Sequence, residues 1–218
     1  MPGLDEKTRA AILAIPSMGT HNVGDYLYDL CRQSTGRGVV IEVGTWLGAS
    51  AAWMAAGLRE SSHPRLMICF DRFVATESEV AKARTAGVML DAECDTREIV
   101  GANLDPIYSH VALHRCDIRL CEWDDDNPIE IYADDAAKSN QAFRHVLRTF
   151  GPSFIPGVTT VLLHDFNFDR KGHSSVQRGI MAGLADHFET VYDAWPASSL
   201  VAFRYVKKYD FATKLEAA

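Results

Sequence analysis

The sequence has no apolar run long enough to cross a bilayer, which takes about 20 consecutive residues. Its opening, MPGLDEKTRA, lacks the basic-then-apolar order of a secretion signal. Cations are outnumbered: 22 Lys and Arg against 29 Asp and Glu give a net charge of −7. That excludes a general positive surface for nucleic acid or for an anionic membrane. The five cysteines, at 31, 69, 94, 116 and 121, form no CxxC pair and are odd in number. Several lie inside apolar runs, so reduced, buried thiols in a cytoplasmic protein are expected. Internal repeats and low-complexity linkers are absent, and 218 residues fit a single domain over 1–218. What is present is 47% hydrophobic and 23% charged, enough apolar material for a substantial core.

The chain is organised around residues 39–50. Val39 to Val43 is a β-branched apolar run carrying Glu42 near its end, and a Gly-x-x-x-Gly turn from Gly44 to Gly48 follows. A small-residue helix is predicted from Ala49 to Leu58. The pattern reads as a buried parallel strand, a turn with room for a ligand, and a helix N-terminus with unpaired N–H groups suited to a carboxylate. Gly44 allows positive φ and close approach of a ligand, and Gly48 lets helix and strand pack tightly. An unpaired charge at Glu42 would be costly on such a strand, which favours a ligand. The competing reading is that Glu42 only caps nearby backbone amides.

Before this stretch, residues 4–15 are predicted helical up to Pro16. A loop over 17–22 leads to a second helix from Val23 to Gln33, so residues 1–35 form an N-terminal helical segment. After it, Leu66 to Phe70 is a second apolar strand ending in Asp71. An acid some two dozen residues beyond a glycine turn suits the two hydroxyls of a ribose; the alternative is a surface pair with Arg72. Residues 75–105 read as an insertion of one or two helices with a break at Gly87. Val111 to Cys116 is a third strand, and Asp117 at its end either accepts from an exocyclic amine or is a plain loop acid. The acidic turn Asp124-Asp125-Asp126 before Asn127-Pro128 reads as a solvated loop in preference to a metal site. Ile129 to Ala133 and Val158 to Leu163 are the fourth and fifth strands, followed by Asp134-Asp135 and His164-Asp165. A helix from Ser174 to Phe188 then leads to two strands, 189–192 and 200–206, joined closely enough to be antiparallel.

The stretches IEVGTWLGAS, ICFDRF, HRCD, IEIYADDAAKS and TTVLLHDF, with the closing pair ETVYDAW and SLVAFRYV, resemble class I S-adenosylmethionine-dependent methyltransferases. The likeness is to small-molecule O-methyltransferases of the macrocin and catechol type, and it covers residues 17 to 207. The resemblance implies an α/β, Rossmann-like, doubly wound sheet of seven strands, mostly parallel with an antiparallel strand in the C-terminal hairpin. It puts the methionine part of the cofactor at Glu42, Gly44, Gly48 and Ser50, and the ribose at Asp71. The adenine falls near Asp117, Asp134 lies beside the cofactor, and Met18, Thr20 and His21 close over it.

The implied activity is transfer of a methyl group from S-adenosylmethionine to an oxygen of a small-molecule acceptor. His164 and Lys138 are the candidate bases, with Asp165 alongside. Asp134 and Asp165 are candidate ligands for a divalent metal such as Mg²⁺, completed by Asp135 or Asn167. The chain departs from the family here. Relatives often read Asp-Gly-Asp-His where this chain has Asp134-Asp135-Ala136-Ala137. In the metal-dependent branch a Lys stands one position earlier than Lys138, and Asn directly follows the Asp where Phe166 follows Asp165. These shifts favour no tightly bound metal. Two other readings stay open: a scaffolding protein that keeps the pocket without turnover, as Ala136 and Ala137 suggest, and an NAD(P)-dependent oxidoreductase. The single-gap glycine turn and terminal hairpin argue against the latter. Homo-oligomerisation is left open by the sequence.

Overall fold

The computed structural model describes residues 3–124, 127–173 and 175–215. The five cysteines are unpaired thiols, three of them buried. Two helices lead into the sheet, α1 (Glu6–Leu13) and α2 (Gly24–Arg32). The alternating part of the chain supplies β1 (Val39–Val43), α3 (Ala49–Glu60), β2 (Met67–Asp71), α4 (Glu77–Thr85), α5 (Arg97–Leu104) and β3 (Val111–Arg115). It continues with β4 (Ile129–Asp134), α6 (Asn140–Phe150), β5 (Thr160–Leu163) and α7 (Val176–Ala182), and ends with β6 (Phe188–Asp193), β7 (Val201–Tyr205) and α8 (Phe211–Lys214).

The seven strands lie in the order β3-β2-β1-β4-β5-β7-β6. All neighbours are parallel as far as β5, and β7 is inserted antiparallel to both β5 and β6. The expected sheet is therefore the observed one. Strand alternation sends side chains to two separate cores. Val40, Ile131 and Ala133 pack under α2, α3 and α5, whereas Ile41, Val43 and Tyr132 pack under α6, α7 and α8.

Helix ends follow local chemistry. Thr76 and Glu79 form a capping box that starts α4, and Ser139 and Ser175 cap α6 and α7. The insertion over 75–105 is two helices, separated by a loop that begins near Gly87. The predicted helix from Ser174 to Phe188 is shorter: Ser174 lies outside the described residues, α7 stops at Gly183, and Phe188 opens β6. Gly183 carries poor helix propensity at that point, and the apolar face beyond it belongs to the edge strand. No helix among the described residues is long and apolar enough to cross a membrane.

Strand register puts the functional positions on one edge. Val43 is level with Phe70 and Asp134, and Asp134 with Leu163. Gly44, Asp71, Asp135 and His164 thus emerge side by side at the carboxyl ends, where the strand order reverses between β1 and β4.

Candidate active site

A cavity of about 1210 Å³ opens over this edge. A usual small-molecule pocket holds about 300–1,000 Å³, so there is room for two reactants. The turn after β1 forms its floor. Gly44 adopts φ +92°, and a Cβ there would sit 2.8 Å from the Cβ of Ala136 and 2.9 Å from its backbone nitrogen. The close approach expected of Gly44 is thus to the loop after β4. Gly48 also has positive φ, at +91°, but a Cβ there would meet Val100 at an ordinary 3.4 Å. Its requirement is conformational and not one of tight packing.

Asp71 holds this turn. One carboxylate oxygen accepts from the amides of Thr45 (2.8 Å) and Trp46 (3.0 Å), and the other from Phe73 (2.8 Å). No ion pair joins it to Arg72 among the described residues, and it lines the cavity. Trp46, at φ +48°, also lines it, and its buried indole N–H has no partner among the described residues. Glu42 lies beneath the turn, 1% exposed, and accepts from the Ser50 hydroxyl through Oε1 while Oε2 is buried and unpartnered. Burial pushes its carboxyl up to about 7. Glu42, Gly48 and Ser50 therefore support the floor from below, whereas Gly44 and Asp71 face the cavity.

The β4 and β5 ends bring the candidate catalytic groups together. His164, Lys138 and Asp165 all line the cavity, joined by Asp135. His164 is 8% exposed, and its Nε2 has no partner among the described residues. Burial lowers its pKa, and although Asp135 opposes this the imidazole stays below its ordinary value. Lys138 Nζ donates to Asp135 Oδ1 at 3.0 Å and also to Asp165 Oδ2. Burial alone would lower the lysine pKa, but the two carboxylates reverse this and hold it above its ordinary value. Lys138, its side chain 57% exposed, is therefore an ammonium held in two ion pairs and not a free base.

Asp134 does not join this group. It is fully buried, and its Oδ1 accepts from the amides of Ala136 (3.0 Å) and Ala137 (2.9 Å) under the turn. Burial pushes its carboxyl up to about 6. Asn167 is committed as well: its amide donates to Asp193 at 2.7 Å and its carbonyl accepts from Arg178. The oxygens expected to share a divalent cation thus do not converge. No group of three His, Cys, Asp or Glu side chains among the described residues could hold a metal ion. The donor set does not fit Mg²⁺, which requires near-octahedral oxygen ligation.

The outer walls come from distant parts of the chain. Met18, half exposed, and Thr20 line one side. His21 does not: its Nδ1 accepts from Trp53 at 3.1 Å, so Nε2 donates to the Ile15 carbonyl at 3.0 Å. Asp117 lines the opposite end, where hydrogen bonds from the Arg119 side chain hold it down at about 2. Of the acidic turn, Asp125 and Asp126 lie outside the described residues. Sequence reasoning missed Trp46, and Ser198 and Ser199 before β7; the face of α4 around Lys82, inside the 75–105 insertion, lines the cavity with them. The capping box at Thr76 could have fixed the orientation of α4; nothing local marks the other positions.

No family model matches the chain, and no curated protein matches it in sequence. Solved structures do share its fold. The calicheamicin methyltransferase CalS11 superposes with a TM-score of 0.54 at 15% identity, over 94% of this chain and 82% of that one. The O-methyltransferase NovP gives 0.60 at 14% identity, over 85% and 80%. The methyltransferase PaMTH1 of Podospora anserina, solved with SAH bound, gives 0.58 at 12% identity, over 94% and 90%. With its 3-2-1-4-5-7-6 sheet and its cavity at the carboxyl ends, the chain has the fold of the class I S-adenosylmethionine-dependent O-methyltransferases.

Proposed function

We propose that this protein transfers a methyl group from S-adenosylmethionine to a hydroxyl oxygen of a small-molecule acceptor. The observation that carries the reading is the sheet edge itself, where Gly44, Asp71, Asp135, His164 and Asp165 line one cavity large enough for two reactants. The fold shared with CalS11, NovP and PaMTH1 supports it. When bound, S-adenosylmethionine supplies an electrophilic methyl on a sulfonium and leaves as S-adenosylhomocysteine.

The chain's own groups do the rest. Gly44, Trp46 and Asp71 form the surface against which the cofactor rests. Asp117 and the loop carrying Met18 and Thr20 close the two ends. His164, at the cavity wall, takes the acceptor's hydroxyl proton as the oxygen takes on the methyl group. Asp135 and Asp165 keep Lys138 in place beside it. Ala136 and Ala137 act here through backbone amides to Asp134, so their small side chains do not speak for a lapsed site. The five unpaired thiols agree with a reducing, cytoplasmic setting.

The test is calorimetry with S-adenosylhomocysteine, NAD⁺ and NADP⁺. Stoichiometric binding of S-adenosylhomocysteine alone is expected. Binding of a nicotinamide dinucleotide without S-adenosylhomocysteine would overturn the reading.

A further inference from the structure

We propose that Lys138 is a built-in cation that does at this site what a divalent metal would do, occupying the space between Asp135 and Asp165 and binding the acceptor oxygen. Its chemical role rests on the proposed methyl transfer; its occupancy of the cation position does not.

The argument begins with placement. Asp135 follows β4 and Asp165 follows β5, so adjacent strand ends bring two carboxylates to one wall of the cavity. Left alone they would repel, and a cation between them relieves the repulsion. The cation present is the ε-ammonium of Lys138, in ion pairs with both. It is anchored close by, because Lys138 immediately precedes Ser139, whose side chain caps α6 through the Ala142 amide. Further oxygens that a metal would need are spent elsewhere, Asp134 on two backbone amides and Asn167 between Asp193 and Arg178.

The chemistry follows from the donor count. An ammonium has three N–H donors. Two are engaged by Asp135 and Asp165, which leaves one for an acceptor oxygen in the cavity. A hydrogen bond from this paired positive charge stabilises the negative charge that builds on that oxygen as its proton passes to His164. The oxygen–carbon bond then forms as the sulfur–carbon bond breaks, and His164 returns the proton to solvent. One positive charge acidifies a hydroxyl less than a divalent ion does, so this site needs the histidine base where a metal site can dispense with one.

The experiment is an Mn²⁺ titration followed by electron paramagnetic resonance, on wild type, Lys138→Ala, Lys138→Gln, Lys138→Arg and the double variant Lys138→Ala/Asp165→Asn. Removing the ammonium should unmask the two carboxylates. Lys138→Ala and Lys138→Gln are expected to bind one Mn²⁺ at least about tenfold more tightly than wild type. Lys138→Arg and the double variant should lose that gain. Equal Mn²⁺ affinity in wild type and Lys138→Ala, whether tight or absent, would overturn the proposal. Binding of S-adenosylhomocysteine to the same samples reports on folding and, separately, on the proposed function: its absence from wild type would sink the methyltransferase reading, while the Mn²⁺ comparison would still decide the role of Lys138.

Discussion

His164 shows how one residue's surroundings set its chemistry. Its ring is buried with Nε2 unpartnered, and burial depresses its pKa below the ordinary 6.5. The base form is the neutral one, so activity is complete above the folded-state pKa and is lost as pH falls through it. The acid limb of kcat/KM should therefore lie below 6.5, and an acid limb above that value would remove His164 as the base. His164→Gln should cost about 10²–10⁴-fold in kcat and leave S-adenosylhomocysteine affinity unchanged. At this scale the sequence was only partly legible. His164, Lys138 and Asp165 could be picked out as polar residues at or beyond strand ends, and all three line the cavity. That Asp134 turns under its own loop while Asp135 faces the cavity depends on amides two and three residues onward, which strand spacing does not encode.

At the scale of elements, the packing of α2 on α3 is held by two glycines. A Cβ on Gly24 would lie 2.2 Å from the Trp53 ring, and one on Gly57 would lie 2.2 Å from the Tyr28 carbonyl oxygen. Each helix thus fits the other only where its own side chain is missing. Gly57→Ala would push α3 away from a backbone atom that cannot give, at a cost of about 1–3 kcal/mol in spite of alanine's better helix propensity. A urea midpoint at or above that of wild type would contradict this. The elements themselves were readable because β-branched runs, glycine turns and capping residues act locally. Ends set by tertiary contacts were not. Phe188 reads as the last residue of a helix, yet it pairs with Tyr205 in the sheet, and Val23 lies in a short 3₁₀ turn before α2 and not inside it.

Across the whole molecule, Glu42 couples stability to pH. Its folded pKa, about 7, lies above the ordinary 4.5 because the carboxyl is buried. The folded chain holds this proton more tightly than the unfolded one, so the associated stability is complete below 4.5 and is lost as pH rises through about 7. Asp134, raised from 3.8 to about 6, acts in the same direction, and His164 in the opposite one. In the ligand-free protein, Glu42→Gln should remove up to roughly 3 kcal/mol of pH dependence across this window. Urea denaturation of variant and wild type at both ends of the window would check it, and parallel pH profiles would refute it. The five βα units and the antiparallel closing pair were legible in the chain; the strand order was not, because rhythm alone does not say which strands are neighbours. The cavity was legible only in part, since its outer walls join residues remote in the chain. That remoteness has a consequence for synthesis. The pocket is lined from Ser17 to Ser199, so a growing chain acquires it only after the turn before β7 has left the ribosome. A nascent chain that has already folded β1 and its glycine turn would still lack one wall. Cofactor would then accumulate only on the finished protein, and its binding would stabilise the assembled fold as a whole and none of its parts.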